Sequence, residues 1–182
     1  MNTSARPRLF HVSEQAGIAR FDPRPPPSLD AGVTEQVVWA IESRLLANYL
    51  LPRDCPRVTF HEGQTTTSDD VARFFVAGAP RHVVAIEEAW AERVRPAELR
   101  LYEFSPATFT VADANAAYWV SRRPVVPLRE TRVADLPAAI AAAGAEFRTV
   151  PSLWPLRDAV FASTLGFSFI RMRHAQPRPA AG

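Results

Sequence analysis

The chain has 182 residues, 47% of them hydrophobic, with 21 basic residues that are all arginine against 19 acidic ones, for a formal net charge of +2. That length buries one substantial core and is short for two, and so small a net charge excludes a protein that coats a polyanion by bulk charge. No apolar run approaches the ~20 residues that cross a bilayer, no signal-like stretch opens the chain and Cys55 is the single cysteine, so the expectation is a cytoplasmic protein with no membrane partner and no intrachain disulfide.

Residues 1–7 and 176–182 are polar or rich in Pro and Ala and read as loose tails, leaving a single domain over 8–175. The first strand is expected over 9–13. Side chains alternate along a strand, so His11 and Ser13 share one face and Phe10 and Val12 the other. With Phe10 and Val12 in a core, the polar pair points toward a cleft or water, where propensity alone would place Val, Ile or Tyr. A hydrogen-bonded structural pair is the alternative reading.

Residues 22–27 contain four prolines and read as an extended surface loop. A strand over 37–41 leads to Ser43, a helix cap, and to Leu45, Leu46, Tyr49 and Leu50 at helical spacing, with Pro52 as the stop. A strand is expected over 57–60. Ser68 then caps a helix with Asp69 and Asp70 in its first turn, Val71, Phe74 and Phe75 as its buried stripe and Gly78 as its end. Further strands are expected over 82–86, 99–104, 108–111, 118–121 and 125–133, with a short helix over 90–94. Asp135 caps a helix that ends at Gly144, 146–150 is a strand, Ser152 starts a last helix and 167–172 finishes the fold. Short, mostly antiparallel strands mixed with a few helices in irregular order give an α+β class, and the seven glycines form no phosphate-binding loop pattern.

Several chemistries lack support in the residue pattern. The four histidines, His11, His61, His82 and His174, are scattered singly, so no metal site is expected. Cys55 lies between Arg53 and Arg57, which could lower its thiol pKa, but a buried or incidental thiol is the preferred reading. Trp39 and Tyr49 lie on consecutive elements and suit the two walls of a pocket for a flat heterocycle; ordinary core packing is the alternative. Arg20, Arg24, Arg122 and Arg123 offer guanidinium forks to phosphates.

The layout of His11, Ser13, Trp39 and Tyr49 resembles the ADP-ribosyltransferase fold. In that family a first-strand His, often followed two positions later by Ser or Thr, contacts the nicotinamide-side ribose of NAD, and aromatics from the next strand and helix stack on nicotinamide. The segment Tyr118 to Val125 resembles a late strand pair of small bacterial members, the rifampin ADP-ribosyltransferases among them. Over residues 8 to 175 the chain is also similar to a group of bacterial proteins of unknown function, which share the Phe10-His11-Val12-Ser13 start, the Trp39-Ala40 strand, the segment from Asn48 to Pro56 and the Phe167 to Arg173 end.

The resemblance implies a split-sheet ADP-ribosyltransferase-like domain with NAD as substrate. His11 and Tyr49 are then the catalytic candidates, and His11, Ser13, Trp39, Tyr49, Arg20, Arg24 and Arg122 hold the nucleotide. The acidic residue that many transferases place ahead of the late strand has no counterpart, because Ala116, Ala117 and Tyr118 stand there. Asp113, Glu103 and Glu130 are the nearby carboxylates. Related RNA phosphotransferases of this fold use a His with several Arg and no catalytic Glu. A non-catalytic nucleotide- or protein-binding module and a phosphotransferase-like variant therefore stay open, the acceptor is unspecified, and nothing selects a nucleic acid.

Overall fold

A computed structural model describes residues 6–25 and 34–178; the expected tail residues 1–5 and 179–182, and Pro26 and Pro27 of the expected proline loop, lie outside the described residues. Among the described residues the ten strands are β1 (Leu9–Ser13), β2 (Val38–Glu42), β3 (Arg57–His61), β4 (His82–Glu87), β5 (Leu99–Phe104), β6 (Thr110–Asp113), β7 (Tyr118–Ser121), β8 (Arg129–Val133), β9 (Glu146–Val150) and β10 (Gly166–Ile170). Four α-helices accompany them: α1 (Ser68–Phe74), α2 (Glu88–Val94), α3 (Leu136–Ala142) and α4 (Leu153–Phe161). The chain falls into two compact units, one of Met1–Tyr49 with Glu98–Val133, the other of Leu50–Ala97 with Ala134–Gly182.

The first unit is a six-stranded sheet in the order β6-β7-β2-β1-β5-β8, antiparallel throughout. Its central strand, β1, opposes Leu9 to Phe104, His11 to Tyr102 and Ser13 to Arg100 on β5. One face carries a core of Leu9, Phe21, Val38, Ala40, Tyr102, Phe104, Phe109 and Val125. The other face buries Phe10 and Ile41, and the segment after β2 packs against β1 and β2. Both sides of β1 are therefore apolar at Leu9 and Phe10, and its second half, from His11 to Ser13, is half-buried.

The second unit holds the sheet β10-β3-β4-β9, in which β4 and β9 run parallel and the other pairs antiparallel. Every residue of β4 is buried. Val58, Phe60, Val83 and Ala85 pack on Phe74, Phe75, Leu153 and Val160, each Val, Leu or Phe side chain contributing about 1.5–3 kcal/mol when removed from water. Asp135 and Ser152 cap α3 and α4 as their sequence positions predict, and Gly144 (φ +81°) follows α3 in the left-handed conformation that suits glycine.

Several expected elements differ. The segment Ser43–Tyr49 is a 3-10 helix broken at Leu45 (φ −118°, ψ 17°), because burying Leu45, Leu46, Ala47 and Asn48 in succession demands a tighter winding than one amphipathic stripe. α1 is capped by Thr67, whose side chain accepts from Asp70 N, and stops at Phe74 instead of running to Gly78. Phe74 and Phe75 are both buried, and adjacent helical residues point about 100° apart, so Phe75 turns extended to reach the core. The expected strand 125–133 forms only from Arg129, since Pro124 and Pro127 donate no ladder bond and Val125 makes an isolated bridge to Phe21. Residues 106–108 form a 3-10 turn, with β6 starting at Thr110, and β10 ends before Arg171, which is left-handed (φ 56°). Residues 176–178, expected in a loose tail, are held: Gln176 N donates to Glu87, Trp154 Nε1 to Gln176 O, and Arg178 pairs with Asp158.

Candidate functional site

His11 is fixed from two sides in the first unit. Its Nδ1 lies 3.1 Å from Trp39 O, and its ring packs 4.9 Å from Phe21 and 6.4 Å from Phe104. A carbonyl oxygen only accepts, so this contact places the neutral imidazole's proton on Nδ1 and makes Nε2 the basic nitrogen. Phe21 reaches this position because its backbone pairs with Val125, and its ring meets Tyr102 and Phe104 edge-on at 5.1 and 5.0 Å.

From His11 a row of polar side chains crosses the sheet. Tyr102 of β5 stands opposite His11, and Glu130 of β8 stands opposite Tyr102, so all three share the Leu9 face. Residues 15–18 fold over this row: Tyr102 Oη donates to Gln15 O at 2.9 Å and accepts from Ile18 N at 3.1 Å, while Gly17 N donates to Glu130 Oε2 at 3.0 Å. Gly17 has φ +72°, a conformation that suits glycine and lets the segment turn back on the sheet. Burial pushes the Tyr102 hydroxyl above its ordinary pKa; the Ile18 N–H opposes that shift and the Glu130 carboxylate adds to it. Arg100 Nε lies 3.5 Å from Glu130 Oε1. Ser13 is also on this face, and its hydroxyl accepts from Gln15 N at 3.1 Å, securing the start of the covering segment.

Trp39 and Tyr49 stand elsewhere. Phe10 opposes Ile41, so strand alternation puts Trp39 on the Phe10 face and His11 on the reverse. There Trp39 and Tyr49 both meet Tyr118, at ring separations of 5.7 and 6.2 Å, and the Tyr49 and Tyr118 hydroxyls are hydrogen-bonded. The structure thus joins the two predicted aromatics through a third and does not bring them to His11.

The arginines fall nearer. Arg24 pairs by its backbone with Val37, and Ser121, just before Arg122, pairs with Val38. Ser13, Val38 and Ser121 lie at the same end of their antiparallel strands, so Arg24 and Arg122 approach the end of the sheet where β1 finishes, and Arg100 faces Ser13 there. Arg20 pairs with Asp22 at 2.8 Å and Arg122 with Glu35. Of the three nearby carboxylates, Asp113 caps the turn at Asn115 and Ala116, and Glu103 lies on the Phe10 face, held well below its ordinary pKa chiefly by Arg8 and also by Arg129. Glu130 alone of the three shares the face of His11. Tyr102, Arg100 and Phe21 escaped the sequence reading; the period-two pattern Arg100, Tyr102, Phe104 was the signal available for two of them.

Elsewhere, Cys55 is fully buried and burial pushes its thiol up to about 11, the reverse of an activated nucleophile. Among the described residues no group of three or more His, Cys, Asp or Glu is arranged to hold a metal, and no helix is long and apolar enough to cross a membrane. No curated protein and no solved structure matches the chain. The similarity to proteins of unknown function expected from the Phe10 to Ser13 start and the Phe167 to Arg173 end does have a counterpart: residues 10–175 match DUF6886, a family of unknown function, and the chain belongs to that family.

Proposed function

We propose that the first unit binds NAD on the His11 face of its sheet and transfers ADP-ribose, as the resemblance of the first strand to ADP-ribosyltransferases implies. The observation that supports this reading is the row His11, Tyr102, Glu130, which sets a carboxylate on the histidine's own face. Two strand spacings separate the outer members, about 10 Å, with Tyr102 buried between them under residues 15–18. In this reading His11 Nε2 accepts from a ribose hydroxyl, and Arg20, Arg24 and Arg122 receive the diphosphate. The bond from the sugar carbon to the nicotinamide nitrogen breaks with its electron pair on nicotinamide, which leaves neutral. Glu130 stabilises the positive sugar carbon until an acceptor adds its lone pair there and sheds a proton. Trp39 and Tyr49 act from the reverse face, by holding β2 and so the carbonyl that orients His11.

A non-catalytic nucleotide-binding module is favoured by a different observation: Gly17 N and Arg100 already engage the Glu130 oxygens. Calorimetric titration with NAD, coupled to an assay for released nicotinamide, separates the two. Transfer or hydrolysis requires binding that weakens about tenfold or more in a folded His11→Ala protein, and nicotinamide release that Glu130→Gln abolishes while leaving binding intact. Binding without release assigns the module, and no NAD binding removes both readings.

A further inference from the structure

The second unit holds a cavity of about 630 Å³ between α1 and the ends of β3 and β4, a volume that accepts a small organic molecule. Its apolar floor follows from the way α1 ends. Phe75 turns extended into the core, and its buried ring lines the cavity together with half-buried Val71 and exposed Ala72. Its wall is held in place, because Thr66 Oγ1 accepts from Gly63 N at 2.8 Å and donates to Thr164 O at 3.2 Å.

Two opposite charges stand on its rim. One step beyond the last rung of the β3–β4 ladder, His61 with His82, Glu62 N donates to Arg81 O at 2.9 Å, so Glu62 and Arg81 oppose each other directly. Alternation returns both side chains to the face of Phe60 and Val83, where the Arg81 guanidinium lies 5.7 Å from the Phe75 ring. Side chains so opposed start about 5 Å apart at Cβ and attract when their signs differ. Glu62 and Arg81 both line the cavity, yet among the described residues they form no ion pair with each other.

We propose that this cavity binds a free α-amino acid with an apolar side chain, its ammonium on Glu62, its carboxylate on Arg81 and its side chain on Val71, Ala72 and Phe75. The two charges select the ligand. An anion that reached Arg81 would also meet the Glu62 carboxylate, and a cation at Glu62 would meet the guanidinium, whereas a zwitterion satisfies both. An α-amino acid carries its ammonium and carboxylate on one carbon, close enough to face two directly opposed residues of neighbouring strands. The guanidinium fork matches the carboxylate with two parallel hydrogen bonds, and the apolar side chain displaces water from the floor. The site lies wholly within the second unit and does not depend on the nucleotide reading of the first.

Titration of the isotope-labelled full chain with L-leucine and with L-phenylalanine, followed by amide chemical shifts, tests this. Isocaproate and isoamylamine, which keep the leucine side chain and one charge each, serve as controls. The expected result is a shift of the amides of residues 71–77 that saturates by about 20 mM leucine or phenylalanine, with each control binding about tenfold or more weakly than leucine. Glu62→Gln and Arg81→Gln alter exposed side chains, so both variants keep the remaining spectrum, and each weakens binding of the amino acid about tenfold or more. No saturable shift at the cavity with either amino acid overturns the proposal. A control that binds as tightly as leucine overturns it too, as do variants that bind like the wild type.

Discussion

Glu87 and Glu130 are both strand glutamates whose carboxylates accept backbone N–H groups, yet they belong to different kinds of region. Glu87, in the second unit, is fully buried, and its two oxygens accept from Leu153 N at 3.3 Å and Gln176 N at 3.0 Å, fixing the start of α4 and the chain beyond β10. Glu130, in the first unit, lies on an edge strand with its side chain 32% exposed, and accepts from Gly17 N. A carboxylate enclosed by its own chain stabilises a fold, whereas one at an accessible edge, under a short covering segment, is able to meet a ligand. The second unit encloses Glu87 within an apolar sheet, and the first sets Glu130 at the partly exposed end of a row on one face.

Removing each carboxylate should split the two regions most widely. Glu87→Ala leaves two N–H groups without acceptors, at about 1–3 kcal/mol each, so a loss of about 4 kcal/mol is expected in urea unfolding. Glu130→Ala should cost less than about 1 kcal/mol, because water replaces its partners. Similar losses for the two variants would erase the distinction.

The next effect depends on pH. His82 is buried, and burial together with the neighbouring His61 brings its imidazole down to about 4 from 6.5. The unfolded chain takes up that proton below pH 6.5 while the folded chain resists until about pH 4. Stability from this group is therefore complete above pH 6.5 and declines as pH falls toward 4, by about 3 kcal/mol in total. Unfolding free energies of wild type and His82→Gln, measured between pH 7 and pH 4, should differ in slope over that window; parallel curves would show that His82 does not titrate as its surroundings dictate.

A smaller effect is expected at Gly166, which opposes His61 on β3. A Cβ there would stand 2.6 Å from His61 Nε2 and 2.7 Å from Cε1, so the half-buried ring, 5.7 Å from that of His82, must turn aside. Gly166→Ala should cost about 2 kcal/mol, and His61→Ala in the same chain should recover most of it. Additive losses in that double-mutant cycle would mean that backbone freedom at Gly166, and not the imidazole, sets the requirement.

Much of this architecture was legible wherever local chemistry decides it. β1, β5, β7 and β9 run over the residues that alternation and β-branched or aromatic content mark, and Asp135 and Ser152 cap their helices through their own side chains. Residues 43–49 and the end of α1 escaped because burial of consecutive side chains, a tertiary demand, overrode helical spacing. The site divides in the same way. His11 and Ser13 follow from strand alternation, whereas the face of Trp39 depends on Phe10 meeting Ile41, and the place of Glu130 depends on two successive registers. Register joins residues far apart in sequence, and no spacing within one segment encodes it.

The two faces of the first unit give the finest test. Tyr118→Phe removes the hydroxyl that bonds Tyr49 and leaves the ring between Trp39 and Tyr49, so a loss of about 1 kcal/mol is expected. If the Phe10 face only supports the sheet, NAD affinity in this variant stays within about twofold of wild type, since His11 keeps Trp39 O as its partner and the row to Glu130 is untouched. A drop in affinity comparable to that of His11→Ala, with stability unchanged, would place the ligand on the aromatic face and make Trp39, Tyr118 and Tyr49 its contacts. The same titration, run on two variants that alter opposite faces of one sheet, thereby decides which side of β1 and β2 the nucleotide occupies.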